Sequence, residues 1–505
     1  MTLSLASILA ESALRHPDRT AVVFGPERIT YRDLWEQARR YAAALAARGV
    51  VAGEKIAIMT PNSPDFPRAY FGALALGAVI VPIHLLLLAN EVQFVLEDSG
   101  SKLLLCASSC AEGIKGARQC GVDVVDFDCM QQLCASYEGI ESYFQRDALD
   151  DAVILYTSGT TGKPKGAVLS NANLVMNASV TANDLFHIAP EDVLIGCLPL
   201  FHAFGQTVVM NAAFRAGASV VLMPRFSGDA ALDVLVTEAV TMFIGVPTMY
   251  AALLESAKSH AGRPNLRAAI SGGSPLLVAV LEEFERVFEA PVYEGYGLSE
   301  TSPVASFNQE SFGRKPGTVG CGIWGVDVRV ARAELEDRIE FVPLGDLGEI
   351  VIRGHCVFKG YLNLPEATRS AIVDGWFRTG DLGTRDDGGF ITIVDRKKDM
   401  ILRGGFNVYP REVEEVLIRH PAVAQVAVIG IPHPMRGEEV VAVIVRDPQS
   451  PEVSGQEVIA WAKEQIARYK YPRIVHFVES FPLGPSGKIL KRELIARFSQ
   501  KTPAS

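Results

Sequence analysis

The chain has 505 residues, a formal net charge of −10 and eight cysteines. This length exceeds what one hydrophobic core usually supports, so two or more domains are expected. The acidic balance argues against nucleic acid as the main partner, because phosphate backbones are bound by basic surfaces. The cysteines form no CxxC pair and no cluster with zinc spacing, which is typical of a reduced, cytoplasmic protein.

The first ten residues lack the basic region and the cleavage pattern of a signal peptide. The most lipid-like stretch, residues 71–88, has no formal charge but contains glycine, proline and histidine. Its small residues, followed by a β-rich run, predict a buried helix and a buried strand. No membrane-spanning segment is therefore predicted.

Helix-like and strand-like segments alternate along most of the chain. A helical pattern covers residues 31–48, and strand-like runs occur at residues 55–59, 78–81, 153–156, 219–223 and 241–244. This alternation predicts βαβ units and largely parallel sheets that are covered by helices. Residues 317–395 are richer in turn signals such as Gly-Asp and Asp-Gly, which predict a more antiparallel region.

The last stretch predicts a separate α+β unit. A helical pattern at residues 411–419 is ended by Pro421, and two strands and a further helix follow near residues 424–429, 440–445 and 458–467. We therefore expect an α/β protein whose large N-terminal domain, residues 1–395, combines helix-covered sheets with a β-rich subdomain. A small α+β C-terminal domain, residues 396–505, follows it.

The strongest motif lies directly after the strand predicted at residues 153–156. Residues 156–166 read Tyr-Thr-Ser-Gly-Thr-Thr-Gly-Lys-Pro-Lys-Gly. Glycines let backbone amides approach a phosphate, hydroxyls donate hydrogen bonds or reach a metal, and Lys165 supplies positive charge. The pattern differs from a Walker A loop, because Lys163 is followed by Pro164. A plain surface turn is the alternative, but so many specialised residues after a buried strand argue against it.

This loop resembles the phosphate-binding signature of the adenylate-forming superfamily, which includes acyl- and aryl-CoA ligases, firefly luciferase and peptide-synthetase adenylation domains. Further matches recur in order from residue 30 to residue 488, and they are most similar to those of fatty-acid or aryl-acid–CoA ligases. The resemblance implies ATP and Mg²⁺, with CoA as co-substrate. It implies that Thr157 belongs to both the metal site and the nucleotide site. The other nucleotide-binding residues implied in this loop are Ser158, Gly159, Thr160, Thr161, Gly162 and Lys165.

Residues 198–205 read Leu-Pro-Leu-Phe-His-Ala-Phe-Gly. An isolated histidine among aromatic residues is more often part of a core. The resemblance, however, implies that His202 helps to position the acid beside the acyl pocket. Relatives that activate amino acids place an aspartate here, and its absence from this segment favours a different acid.

Two further motifs match the nucleotide site of the family. Residues 271–275 read Ser-Gly-Gly-Ser-Pro, and the resemblance implies that Gly272, Gly273 and Ser274 border the adenine. Residues 293–301 read Tyr-Glu-Gly-Tyr-Gly-Leu-Ser-Glu-Thr. The candidates there are Gly295, Tyr296, Gly297, Ser299 and Glu300. An aromatic ring can cover an adenine face, a serine can donate to the α-phosphate, and a glutamate is a hard ligand suited to Mg²⁺. A buried tyrosine and a solvated glutamate are the structural alternative.

The segment from residue 376 to residue 407 contains a second group of matches. Asp381 ends the run Trp-Phe-Arg-Thr-Gly-Asp, and a carboxylate suits two neighbouring ribose hydroxyls. By resemblance, Arg396 also contacts the ribose and Lys398 is the hinge of a mobile C-terminal domain. Gly404 and Gly405 match the segment along the pantetheine tunnel. A charge run such as residues 395–399 is otherwise usually a solvated face.

The final motif, residues 482–488, reads Pro-Leu-Gly-Pro-Ser-Gly-Lys. A cation on a glycine-rich loop can neutralise the oxygen of the acid and the α-phosphate together. Lys488 matches the adenylation lysine of the family, so the predicted catalytic residues are Lys488, Glu300 and His202. A surface lysine at a helix start is the alternative.

The predicted activity is ATP-dependent ligation of a carboxylic acid to CoA through an acyl-AMP intermediate. A medium- or long-chain fatty acid is favoured, and an aryl acid or loading of a separate carrier protein is the alternative. A luciferase-like oxygenase and a non-catalytic nucleotide or acyl-adenylate sensor rank lower, because Lys488, Glu300 and the phosphate loop are all present. The sequence leaves open whether the chain forms a homodimer.

Overall fold

The computed structural model describes residues 2–157, 164–397, 399–448, 450–484 and 487–499. Its α-helices are α1 (Ser7–Arg15), α2 (Tyr31–Ala47), α3 (Asp65–Ala75), α4 (Ala89–Ser99), α5 (Ala111–Cys120), α6 (Phe127–Ala135), α7 (Asn171–Val180), α8 (Ala212–Ala216), α9 (Gly228–Thr237), α10 (Pro247–Ala257), α11 (Val278–Phe288), α12 (Pro365–Ala371), α13 (Pro410–Leu417), α14 (Gly455–Gln465) and α15 (Lys491–Ser499). Thr181–Leu185 and Phe204–Asn211 are π-helical, and Ser299–Thr301 and Glu310–Phe312 are short 3₁₀ helices.

The strands are β1 (Thr20–Phe24), β2 (Glu27–Thr30), β3 (Lys55–Met59), β4 (Val79–Pro82), β5 (Ser101–Cys106), β6 (Asp123–Asp126), β7 (Asp151–Thr157), β8 (Lys165–Ser170), β9 (Val193–Gly196), β10 (Ser219–Leu222), β11 (Met242–Gly245), β12 (Ala268–Ser271), β13 (Val292–Gly297), β14 (Val304–Phe307), β15 (Cys321–Gly322), β16 (Val326–Ala331), β17 (Gly348–Gly354), β18 (Gly360–Tyr361), β19 (Ile372–Val373), β20 (Trp376–Arg385), β21 (Ile391–Arg396), β22 (Ile401–Arg403), β23 (Phe406–Val408), β24 (Val423–His433), β25 (Gly437–Arg446) and β26 (Ile474–Val478).

The described strands of the N-terminal part form two large, mostly parallel sheets. One has the order β18-β8-β7-β4-β3-β5-β6, and the other has the order β15-β14-β13-β12-β11-β9-β10-β1-β2. Strands such as β4 and β11 are buried along their whole length, as expected where helices cover both faces of a sheet. A single apolar core includes Ile56 and Ile80 of the first sheet and Leu194 and Val220 of the second. The predicted alternation of strands and helices is therefore confirmed.

Residues 71–88, the most lipid-like stretch, form the end of α3, strand β4 and a loop in which Leu86 and Leu88 are exposed. Within the described part of the chain, no helix is both long enough and apolar enough to cross a membrane.

The turn-rich region folds as an antiparallel sheet with the order β16-β17-β20-β19, in which β21 also pairs with β20. It has its own small core, which contains Val328, Ile350, Ile352 and Ile391. Asp381 of β20 lies opposite Arg396 of β21 in the antiparallel register. This pairing brings two of the predicted ribose-binding residues together.

The C-terminal domain has a sheet with the order β23-β22-β25-β24, with β26 parallel to β25. Helix α13 buries Val413 and Leu417 against that sheet, because these positions share one helical face. The predicted helix near residues 458–467 begins earlier, at Gly455, because Ser454 and Glu457 form a capping box. The fold class is confirmed, whereas the domain boundary between residues 395 and 396 stays a prediction.

Asn62 fastens the end of β3 to the segment that carries His202. Its buried side-chain amide donates to the carbonyl oxygens of Gly196 and Leu198, at 2.9 and 2.8 Å. Its carbonyl oxygen accepts from the backbone N–H of Leu200 at 3.0 Å. One polar side chain therefore ties the two large sheets together at their functional edge.

We expect Asn62→Ala to destabilise the protein by about 2 to 4 kcal/mol, because buried backbone groups lose their partners. Chemical denaturation would measure this as a lower unfolding midpoint. Asn183→Ala, at an exposed position, is the control and should change stability by less than about 0.5 kcal/mol. Equal stability of the two variants would contradict the assigned role of Asn62.

Candidate active site

The predicted site residues of the N-terminal domain come from separate strands that end at a common cleft. Thr157 is the last residue of β7, Gly272 follows β12, and Gly295, Tyr296 and Gly297 end β13. Carboxyl ends of parallel strands are the usual position of ligand sites in α/β folds. The fold thus brings together motifs that are more than a hundred residues apart in the sequence.

The glycine- and hydroxyl-rich loop is only partly described. Ser158, Gly159, Thr160, Thr161 and Gly162 lie outside the described residues, as does Lys398. Lys165 was expected in the loop, but it is the first residue of β8 and pairs with Thr157 across the β7–β8 ladder. Its ammonium lies 5.1 Å from the centre of the Tyr361 ring.

Thr157 and Glu300 place two side-chain oxygens, both potential metal ligands, at one side of the cleft. The Thr157 hydroxyl lies 3.5 Å from Glu300 Oε1, which also accepts a hydrogen bond from the Tyr361 hydroxyl at 2.9 Å. Glu300 is buried in the short helical turn Ser299–Thr301, which also places Ser299 beside it. Tyr361 was not predicted as a site residue, because it lies in none of the motifs and is brought to Glu300 by the β18–β8 pairing.

This oxygen pair tests the predicted metal site. Among the described residues, no group of three or more His, Cys, Asp or Glu side chains is placed to hold a metal ion. Mg²⁺ commonly takes one or two protein oxygens and completes its shell with phosphates and water. The Thr157–Glu300 pair fits that second type of site.

Asp381 is the centre of a second polar cluster. The Tyr296 hydroxyl donates to Asp381 Oδ2 at 2.6 Å, and Arg396 Nε lies 3.1 Å from Asp381 Oδ1. Asp381 is only 4% exposed, so these contacts compensate a carboxylate that has lost most of its water. Burial and the neighbouring Asp381 charge raise the pKa of Tyr296, so its ring stays neutral and its hydroxyl remains a donor.

Glycines keep the space between these clusters narrow and flat. A Cβ on Gly272 would lie 3.0 Å from Cζ of Phe204 and 3.6 Å from the Gly295 carbonyl oxygen. Gly273 has a φ of +82°, and a Cβ there would lie 3.2 Å from Cε of Lys488. Ser274 follows at a half-buried position. The strand end therefore admits a planar group beside its backbone.

Lys488 enters the cleft from the C-terminal domain. Its loop is attached to the N-terminal domain by a hydrogen bond of 2.8 Å from the Thr248 hydroxyl to the Gly487 carbonyl oxygen. Burial lowers the pKa of Lys488 to about 8, Arg396 lowers it as well, and Asp381 opposes both effects. The structure thus places Lys488 beside Asp381, Arg396 and Gly273, as the sequence predicted for residues of one site.

His202 is held as a neutral imidazole. Burial, followed by the charges of Lys488 and His84, lowers its pKa to about 3. Its Nδ1 accepts the backbone N–H of Phe204 at 3.3 Å, so the ring hydrogen lies on Nε2. His202 can therefore donate a hydrogen bond to an anionic group without carrying charge itself.

Gly404 and Gly405 are not part of this cluster. They form the turn between β22 and β23, and a Cβ on either would meet nothing within 4 Å. Their neighbours Leu402 and Phe406 are 51% and 56% exposed. In this structure the predicted pantetheine segment lies on an open surface of the C-terminal domain.

Comparison with known proteins identifies the family. The AMP-binding enzyme family matches residues 9–362, and the AMP-binding enzyme C-terminal domain matches residues 412–488. The chain therefore belongs to the AMP-binding enzymes, as the motifs predicted, and it is an acid–thiol ligase.

Individual relatives cover almost the whole chain. A long-chain-fatty-acid–CoA ligase of Bacillus subtilis is 33% identical over 97% of this chain and 94% of its own length. A feruloyl-CoA synthase of Amycolatopsis is 36% identical over 98% and 99%. The o-succinylbenzoate CoA synthetase of Bacillus subtilis, solved with its acyl-adenylate intermediate, has 32% identity, covers 98% of each chain and has a TM-score of 0.85.

The environment of Lys488 makes a direct prediction. Amine labelling, followed by mass spectrometry across a pH series, should titrate Lys488 with a midpoint near 8, below the 10.5 of an ordinary lysine. Asp381→Asn should lower that midpoint further, because it removes the negative charge that favours the ammonium. Arg396→Gln should raise it, because it removes a like charge.

Exposed Lys463 on α14 controls for the pH dependence of the reagent itself. A Lys488 midpoint at the ordinary value, or shifts of opposite sign in the two variants, would contradict this account of the site.

Proposed function

We propose that this protein is an ATP-dependent carboxylic acid–CoA ligase that activates its acid as an acyl-AMP, with a medium- or long-chain fatty acid as substrate. The observation that carries the proposal is the convergence of Lys488, Asp381, Arg396 and Gly273 in one cleft. The cation of Lys488 thereby faces the residues to which the nucleotide is assigned.

ATP is proposed to occupy the cleft with its adenine between Tyr296 and the Gly272-Gly273-Ser274 segment. Asp381 and Arg396 bind the ribose. This assignment is supported by their 3.1 Å contact and by the hydrogen bond that the Tyr296 hydroxyl donates to the Asp381 carboxylate. The phosphates extend towards Thr157 and the glycine-rich loop. Gly295 and Gly297 permit close approach of the backbone, and Ser299 donates to the α-phosphate.

Thr157 and Glu300 would hold Mg²⁺, an assignment supported by the 3.5 Å separation of their oxygens. The ion would supply positive charge to the phosphate oxygens. Tyr361 keeps the Glu300 carboxylate oriented through its hydrogen bond of 2.9 Å.

The first half-reaction joins the acid to AMP. A carboxylate oxygen attacks the α-phosphorus, the bond to the bridging oxygen of the β-phosphate breaks, and pyrophosphate leaves with that electron pair. Lys488 stabilises the charge shared by the carboxylate and the α-phosphate, and the Nε2–H group of His202 helps to position the acid. The protein mainly positions groups and neutralises charge.

The second half-reaction transfers the acyl group to CoA. The thiolate attacks the acyl carbonyl carbon, and AMP leaves with the electron pair of the acyl–phosphate bond. We propose that the C-terminal domain, residues 396–505, rotates about Lys398 between the two steps, which withdraws Lys488 and brings in Gly404 and Gly405. The open position of the Gly404-Gly405 turn supports this proposal.

The acid is assigned by similarity and by the apolar character of the segment around Phe201. An aryl acid is the second candidate, because the feruloyl-CoA synthase is as similar over the whole chain as the fatty-acid ligase. All eight cysteines are free thiols in the structure, which supports the proposed cytoplasmic location. A homodimer stays a prediction.

Pyrophosphate release with ATP and Mg²⁺ across a panel of acids tests the proposal. The panel should vary chain length and aromaticity, with CoA and a carrier protein compared as acceptors. Fatty acids should give the highest kcat/KM, and AMP should appear with the thioester. An enzyme that produces no AMP with any acid would contradict the proposed function.

Because Lys488 is assigned to the first half-reaction alone, Lys488→Ala should affect the two half-reactions differently. Acyl-AMP formation should fall by about a hundredfold or more, because a charge at the reacting atoms is lost. Thioester formation from supplied acyl-AMP should stay within about twofold of wild type, because Lys488 serves only the first step. Rapid-quench measurement of each half-reaction checks this, and an equal loss in both would refute it.

A further inference from the structure

The contact between helix α13 and the segment that follows the Gly272-Gly273-Ser274 motif joins the two domains. Leu277, in the N-terminal domain, packs against the apolar core of the C-terminal domain. The next residue, Val278, begins α11. The segment that borders one side of the nucleotide cleft is therefore also a docking surface for the C-terminal domain.

Arg411 is the cation at this contact. It belongs to α13 and is only 9% exposed. Its Nη1 donates to the carbonyl oxygen of Ile393 at 2.7 Å, and its backbone N–H donates to Asp395 Oδ2 at 3.3 Å. Both partners belong to β21, which pairs with the antiparallel sheet of the N-terminal domain.

The Arg411 guanidinium also acts on a buried carboxylate. Glu294 of β13 is 4% exposed and accepts the backbone N–H of Gly317 at 3.1 Å. Burial raises the pKa of Glu294 to about 7, and the charge of Arg411 opposes that rise. A buried carboxylate without its cationic neighbour is strongly disfavoured, so Glu294 favours the orientation in which Arg411 is present.

Glu415 lies one turn further along α13, and its Oε1 lies 3.9 Å from Nε of Arg411. Burial raises the pKa of the Glu415 carboxyl, and the charge of Arg411 and then the backbone of Val278 oppose that rise. Leu277, at the N-cap position of α11, has no polar side chain that could cap this helix. The Glu415 charge faces the start of α11, where a negative charge is favoured by the helix dipole.

We propose that Arg411 and Glu415 form a latch that faces Val278, Glu294 and Ile393 and holds the C-terminal domain where Lys488 reaches the nucleotide. They are positioning residues, because they touch neither the nucleotide slot nor the reacting groups. The proposal rests on the proposed function for its consequence, which is that the latch supports acyl-AMP formation and must open for the thioester step.

The latch affects the first half-reaction selectively because its partners all belong to the N-terminal domain. Each contact joins α13 to the N-terminal domain, so all of them are lost together if the C-terminal domain rotates. The latch can then bias the equilibrium between orientations only by the free energy of these contacts. Weakening the latch should lower the population of the domain orientation in which Lys488 lies in the cleft. It should not alter the chemistry of either half-reaction.

The experiment uses Arg411→Gln and Glu415→Gln in the full chain. Each should lower acyl-AMP formation by about tenfold, equivalent to about 1.4 kcal/mol. Thioester formation from supplied acyl-AMP should remain at or above the wild-type rate. Lys463→Gln and Glu464→Gln, on the exposed face of α14, are matched charge-removing controls and should leave both half-reactions unchanged.

A second measurement does not depend on activity. In the ligand-free variants, the labelling midpoint of Lys488 should rise from about 8 towards the ordinary 10.5, because the lysine spends less time in the cleft. Thermal unfolding identifies any variant that fails to fold, and the other variant then carries the test.

Three results would overturn the latch: equal losses in both half-reactions, unchanged acyl-AMP formation in both folded variants, or an unshifted Lys488 midpoint. If the wild-type enzyme forms no acyl-AMP, the proposed function fails by itself. The labelling midpoint still tests the latch in that case.

Discussion

The partly buried ammonium of Lys488 is the charge around which the site is arranged. Removal from water and the neighbouring Arg396 both disfavour it, whereas Asp381 favours it. Asp381 in turn holds Tyr296 and Arg396. A cation kept in this balance is stabilised most when an anion enters the cleft, because the low surrounding polarity strengthens that attraction. The same environment that disfavours the free ammonium therefore makes it effective against phosphate and carboxylate oxygens.

The fold supplies this arrangement by ending several strands at one place. Thr157, Gly272 and Tyr296 come from strands whose positions are fixed by a continuous apolar core. Asn62 ties the two large sheets together at the same edge. Lys488 is delivered by a loop of the C-terminal domain that is attached to Thr248. A site completed by a residue from a second domain can be opened by moving that domain, without disturbing the buried strands that bind the other groups.

Much of this could be predicted from the sequence, because the motifs consist of residues with few structural alternatives. The strand at Lys55–Met59 and the start of α2 at Tyr31 were predicted from local pattern alone. Tyr361 and Glu415 could not be found in that way, since each acts on a residue more than sixty positions away or in another domain. The strand position of Lys165 was also missed, because propensity does not show that a hairpin resumes directly after the loop.

The segment at residues 274–278 lies between the proposed nucleotide site and the C-terminal domain. Because both contact the same segment, nucleotide binding and domain orientation are coupled. One side borders the proposed nucleotide site through Gly273, where an added Cβ would lie 3.2 Å from Cε of Lys488. On the other side, Leu277 packs against the apolar core of the C-terminal domain, and Glu415 of that domain faces Val278. Thermodynamic linkage makes this coupling reciprocal. The free energy by which nucleotide binding stabilises this domain orientation equals the free energy by which the orientation stabilises the bound nucleotide. With the nucleotide placed as proposed, loss of pyrophosphate would remove part of the negative charge that faces Lys488, so the first reaction would weaken one of the interactions that hold the two domains together.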